Sequence, residues 1–268
     1  MSCPAWTAIT LKSGLRYRAA RILRVRFVER FDRLDPGRWT DAYLPAWSSR
    51  AAAAATLTTG AEGLELSVPV DQPLWCPDLH ETPLRVSGIH SANRSGPVGS
   101  TDAPQPFRGD LTVREAQPTM LGFVPHFGTV SVTCAAHLNQ RSMFSAWMVG
   151  LEDRPERSGE ICLMEVFGNT VRAGEASVGQ GIHPFRDPAL REDFSAEPRR
   201  LDVSRSHTYS VEWTPGRVEF RIDGTTTRVA DQAPDYPMML ILGLFDFPAE
   251  PGDPADVPRL RVSEVSGS

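Results

Sequence analysis

The chain has 268 residues and a formal charge of −5, with acidic and basic side chains interspersed beyond residue 30. That balance argues against a nucleic-acid surface, and no apolar run approaches the roughly 18 residues of a membrane helix, so neither partner is expected. Its 23 prolines and 21 glycines favour turns and short strands over long helices, and the length suits one large β-sandwich.

Residues 1–26 contain Lys12, Arg16, Arg18, Arg21, Arg24 and Arg26, which interrupt every apolar run. An export signal needs an unbroken apolar stretch of about 7–15 residues behind its positive charge. No signal is read here, and the sequence as it stands reads as cytoplasmic. The segment is expected to be a poorly ordered extension or to precede the true start, with a basic surface helix as the sharper alternative. The globular domain is expected over 27–268. Cys3, Cys76, Cys134 and Cys162 are far apart, with no Cys-x-x-Cys pair. Neither a zinc site nor a disulfide framework is predicted.

Beyond residue 27 come short runs bounded by turn residues. Residues 45–50 form a loop with Trp47 and Arg50. Residues 63–68 alternate with period two. Residues 69–107, rich in Pro, Gly and Ser, read as a long loop that carries Trp75. Residues 129–136 alternate again, with Cys134 as a small buried residue. Residues 184–205, charged and with prolines, read as a second long loop. Long loops in a compact β domain are usually walls or lids of a site. Residues 209–213 and 217–222 read as a hairpin about a Thr-Pro-Gly turn, with Asp223-Gly224 at its far end. Residues 238–245 are almost all apolar and suit a strand covered on both faces. Residues 259–265 read as the last strand.

The informative stretch is Ser158-Gly-Glu-Ile-Cys-Leu-Met-Glu-Val-Phe-Gly168. On a strand, Glu160 and Cys162 share a face and Glu165 falls on the other. One bulged residue, Leu163 or Met164, returns Glu165 to the face of Glu160. The two Cα atoms are then about four strand steps, roughly 13 Å, apart. Side chains leaning together bring the carboxylates near the roughly 5–5.5 Å separation of a retaining glycosidase. Mutual repulsion raises the proton affinity of one of them, as a general acid needs.

The stretch resembles the active-site strand of glycoside hydrolase family 16, which runs Glu, apolar, Asp, apolar, a bulged Met or similar, Glu. Residues 144–150 with Trp147, 181–183 with His183, and 207–213 followed by 217–224 resemble neighbouring strands of that family, over about residues 27–265. The resemblance implies an all-β, concanavalin A-like jelly-roll sandwich of two antiparallel sheets. It implies Glu160 as nucleophile, Glu165 as acid/base and Trp147 as a cleft tryptophan. The family's middle Asp is Cys162 here, a neutral thiol that offers only a weak hydrogen bond, which puts the rate in question. Many members hold a structural calcium through carboxylates on the first and last strands. The corresponding places here are Arg30 and Ser263, so no metal is expected, and no cofactor.

Trp147, Trp47, Trp75, Trp213, His183 and Arg50 are the candidate substrate-binding residues, each weighed against a core or solvated role. Sugar rings present apolar faces to aromatic rings, and an exposed loop tryptophan needs a reason. Two functions follow. The first is a monomeric, retaining, endo-acting β-glycosidase with a β-glycan substrate, of β-1,3-glucan type. The alternative is a carbohydrate-binding, lectin-like protein of the same fold, its chemistry weakened by Cys162.

Overall fold

A computed structural model describes residues 26–268; the basic extension expected at the start of the chain lies, but for Arg26, outside the described residues. The strands in chain order are β1 (Phe27–Glu29), β2 (Thr56–Gly60), β3 (Gly63–Ser67), β4 (Arg85–His90), β5 (Ala92–Asn93), β6 (Met120–Leu121), β7 (Gly128–His137) and β8 (Ser142–Gly150). They continue as β9 (Glu160–Phe167), β10 (Ala176–His183), β11 (Asp193–Arg199), β12 (His207–Thr214), β13 (Arg217–Ile222), β14 (Thr225–Ala230), β15 (Met238–Asp246) and β16 (Arg259–Gly267). One sheet runs β14-β13-β12-β7-β16-β3-β2, with β1 also on β16. The other runs β11-β10-β9-β8-β15-β4, and β5-β6 form a small ribbon. Neighbouring strands pair antiparallel, as in β8 with β15 and β7 with β12. The fold is the all-β jelly-roll sandwich implied by the sequence.

Alternation decides which side chains meet between the sheets. Val130, Val132 and Cys134 of β7 and Tyr209, Val211 and Trp213 of β12 point inward from one sheet. They meet Phe144, Ala146 and Met148 of β8 and Leu240, Leu242 and Leu244 of β15 from the other. The opposite face of β8 and β15 does not open fully to water. Loops from the N-terminal half cover part of it, building a second apolar cluster with Trp47, Trp75, Trp147, Ile241 and Phe245. Two covered faces explain why β8 and β15 are buried at every position.

Two expected loops hold strands. Residues 69–107 contain β4 and β5, and 184–205 contain β11. β4 and β11 are the two edges of the second sheet, where sequences need not alternate. β4 carries Ser87, Gly88 and His90. A Cβ on Gly88 would sit 3.0 Å from the Tyr43 ring, so glycine lets that ring pack closely on the strand. β11 carries Pro198, which an edge tolerates because its missing N–H costs no ladder bond. Arg30 donates to Glu264 at 3.2 Å, joining the chain just after β1 to β16.

Trp213, a candidate for substrate binding, is instead fully buried in the sandwich. Its indole N–H donates to the Pro234 carbonyl at 3.0 Å. It belongs to β12, on the sheet away from the cleft, so an inward position on that strand can only be core.

Candidate active site

The site is built on β9. Along β8, Ala146 pairs with Met164 and Trp147 with Cys162, so Leu163 is skipped. Along β10, Gly179 pairs with Glu165 and Gly181 with Cys162, two steps against three. Leu163 is therefore the extra residue of a bulge. Leu163 and Met164 both point into the core between the sheets, and this repetition switches the phase. Glu160, Cys162 and Glu165 emerge on the face away from that core.

Glycines on β10 make room beside them. Gly181 has φ 148°, and a Cβ there would lie 2.1 Å from the Asp193 carbonyl. A Cβ on Gly179 would lie 2.5 Å from the Phe194 ring, so that ring reaches the flank of Glu165 only because Gly179 has no side chain. His183 packs on Phe194 with ring centroids 4.5 Å apart, and its Nδ1 lies 2.8 Å from a Glu192 oxygen.

The two carboxyls differ in surroundings. Glu160 is buried and accepts a hydrogen bond from Gln105 Nε2 at 3.2 Å. Burial, then the charge of Glu165, push its pKa up to about 8, with the Gln105 bond opposing and Glu192 adding to the rise. Glu165 is half-buried. Burial raises its pKa too, and His183 offsets part of this. The two carboxyls are coupled, each in surroundings that favour its protonated form, with the larger effect on Glu160; two such carboxyls sharing a proton suit acid and nucleophile roles. Cys162 is fully buried between them. Burial, then the charges of Glu160 and Glu165, hold its thiol well above the ordinary range, so it stays neutral.

A cleft of about 720 Å³ opens over the pair, lined by Glu160, Glu165, Tyr43, Trp75, Trp147, His183, Phe245 and others. Trp147 and Phe245 rings lie 6.1 Å apart, Tyr43 sits edge-on to Phe245 at 5.5 Å, and Trp75 leans on Phe107 at 4.8 Å. Gly243 leaves the space that the Phe245 and Trp147 rings occupy. Phe185, 61% exposed, and Phe167, 38% exposed, stand at the rim. A second hollow of about 660 Å³ shares Pro106, Phe107, Glu152 and Arg186 with the cleft.

The structure brings Glu160, Cys162, Glu165, Trp147, Trp75 and His183 together. Trp147 and Trp75 are nearly buried walls rather than open platforms, their indoles donating to Gln105 Oε1 at 3.2 Å and to the Tyr43 carbonyl at 3.1 Å. Trp47 and Arg50 do not belong to the site. Trp47 is fully buried with its indole on the Pro104 carbonyl at 2.8 Å, a plug that fixes the covering loops. Arg50 turns away to Asp41 and Gln117. Sequence reasoning missed Tyr43, Gln105, Glu152, Phe185 and Arg186. Phe185, two residues after His183, had a signal in its position beside a cleft strand. Gln105 had none.

Residues 122–251, from just before β7 through β15, match the family model of glycosyl hydrolases family 16. That segment, just under half of the chain, carries the likeness to the family that the glutamate strand suggested. Among solved structures it is similar to a GlcNAcα1-4Gal releasing endo-β-galactosidase from Clostridium perfringens, at 22% identity and a TM-score of 0.74, covering 90% of this chain and 61% of that one. It is similar to the catalytic domain of an endo-1,3-β-glucanase (laminarinase) from Thermotoga petrophila, at 15% identity and a TM-score of 0.59, covering 90% and 95%. It is similar also to a Bacillus licheniformis β-glucanase, at 13% identity and a TM-score of 0.57, covering 91% and 97%. At these identities the likeness is one of fold. No curated protein matches the chain.

Proposed function

We propose that the protein is a retaining, endo-acting β-glycosidase in which Glu160 attacks the anomeric carbon and Glu165 serves as acid, then base. The observation that carries this reading is the Leu163 bulge, which places two glutamates and one neutral thiol on a single face under an aromatic-walled cleft. An edge strand with two solvated glutamates has no need of it.

The difference in exposure supports the division of roles. The acid/base must protonate a leaving oxygen and later take a proton from water, which suits the half-buried Glu165. A nucleophile must be held still, which suits the buried Glu160 with its Gln105 bond. The proton that Glu160 favours in the empty cleft passes to Glu165 as sugar enters and the two carboxyls are redistributed. An open cleft continuing into a second hollow accommodates internal linkages of a chain.

A β-1,3-glucan is one substrate class consistent with this shape. The TM-score of 0.74 to the Clostridium endo-β-galactosidase, against 0.59 to the laminarinase, favours a second reading, a β-galactoside linkage within a longer glycan. Reducing-end release from laminarin, lichenan, a β-galactan and a mucin O-glycan pool separates the two. Proton NMR of the first product tests retention: a β-anomer is expected, and an α-anomer refutes Glu160 as nucleophile. Binding without turnover on every glycan leaves the lectin-like reading.

A further inference from the structure

Gln105 lies on the loop between β5 and β6, distant in sequence from the glutamate strand. Its side-chain oxygen accepts the Trp147 indole N–H at 3.2 Å, and its side-chain nitrogen donates to Glu160 Oε2 at 3.2 Å. An indole nitrogen can only donate. It therefore fixes the amide: the oxygen must face Trp147, and the NH2 group is left to face Glu160. A freely rotating amide would present either atom, but this one presents a donor only.

The backbone holds the amide in place. The Gln105 N–H donates to Glu152 Oε1 at 2.7 Å, and Glu152 is paired with Arg186 through its other oxygen. Gln105 and Glu152 both have left-handed backbones, with φ of 50° and 51°. Each such conformation in a residue with a side chain costs about 1–3 kcal/mol, and the surrounding contacts must over-determine it. Arg94 completes the clamp, donating to the Leu151 and Glu152 carbonyls while it chelates Asp102.

We propose that Gln105 is a positioning residue for the reaction: its indole-locked amide favours the ionised form of Glu160, in a site that has no charged middle residue on the strand. The proposal rests on the reading of Glu160 as a reacting group. The other titratable groups facing Glu160 all oppose or barely assist ionisation. Glu165 on the same strand and Glu192 ahead of β11 repel it, Cys162 is neutral, and Tyr43 from the covering loop is a buried phenol held neutral partly by Glu160's own charge. His183, the cross-strand partner of Glu160, acts on Glu165. Gln105 supplies the one specific bond to the Glu160 carboxylate among the described residues.

The test needs no substrate. The protein is labelled with 13C at glutamate carboxyls and 15N at indoles, and the Glu160 and Trp147 resonances are assigned by Glu160→Gln and Trp147→Phe. In the natural protein the Trp147 indole resonance should titrate together with Glu160, because one amide joins them. Gln105→Met keeps the length and removes the donor, and should raise the Glu160 midpoint by about one pH unit. Gln105→Glu, closer in shape, should raise it as well, and serves if the Met variant does not fold. An indole resonance that ignores Glu160 overturns the proposal, and so does an unmoved midpoint in either folded variant. Failure of the underlying reading is separate: Glu160→Gln would then keep its turnover on the glycan panel, whatever the titration shows.

Discussion

Replacing Glu160 by Gln should change the pH dependence of stability in a calculable way. In the fold its pKa is about 8, against an ordinary 4.5, so the folded state holds a proton that the unfolded chain has released. A raised carboxyl contributes stability that is fully present below the ordinary value and is lost as pH rises through the folded value. The difference is about 3.5 units at 1.36 kcal/mol each, or roughly 5 kcal/mol as an upper figure. An amide at the same place keeps an oxygen for Gln105 Nε2 and never ionises. Near pH 5 the variant and the natural protein should therefore unfold within about 1 kcal/mol of each other, and near pH 9 the variant should be more stable by about 3–5 kcal/mol. For a domain of this length that is of order 10 °C in melting temperature. Glu152, with its own pKa near 7, lowers the stability of both proteins alike and drops out of the comparison. Urea unfolding at a series of pH values reads the gap directly. A gap that does not widen between acid and alkaline pH would refute the buried, repelled carboxyl that the site depends on.

Phe185 is mostly exposed at the cleft rim, so Phe185→Ala should leave the melting temperature within about 2 °C while weakening oligosaccharide binding about 5- to 20-fold, by calorimetry; unchanged affinity would remove the rim from the binding surface. Trp47→Ala should do the reverse, costing about 3–5 kcal/mol of stability as a core truncation with little change in affinity per folded molecule; the opposite pattern would return Trp47 to the cleft. Cys162→Asp should raise the proton affinity of Glu160 and Glu165 and move the alkaline limb of kcat/KM upward by about one pH unit, with a lower melting temperature because a buried site gains a carboxylate. An unmoved limb would mean that position 162 does not feel the pair.

Local pattern made much of this molecule legible. The alternation in β7 and the hairpin of β12 and β13 could be read because each buries an apolar face on a regular period, and the doubly covered β15 because its run is almost all apolar. The bulge in β9 could be read because only an extra residue reconciles two glutamates five positions apart with one shared face. The edge strands β4 and β11 could not, since an edge owes little to alternation. Nor could the fate of the tryptophans. Trp47 and Trp75 both lie in loop-like sequence, and whether each meets the cleft or the core depends on how those loops fold across the sheet, while the fate of Trp213 depends on which sheet takes its strand. Gln105 lies beyond local pattern altogether. Its meaning comes from a contact with Glu160 across 55 positions of chain and another with Trp147 across 42.

The central claim is that Glu160 and Glu165 together carry a glycosidase reaction, and comparing kcat for the natural protein, Glu160→Gln and Glu165→Gln on the best glycan of the panel tests it most directly. The account predicts that Glu160→Gln falls by at least about 10³-fold, since an amide cannot form the glycosyl intermediate. It predicts that Glu165→Gln falls by about 10²- to 10⁴-fold on glycan but much less on an aryl glycoside whose leaving group needs no proton. A natural protein no faster than Glu160→Gln, or a Glu165→Gln defect of equal size on both substrates, would contradict it.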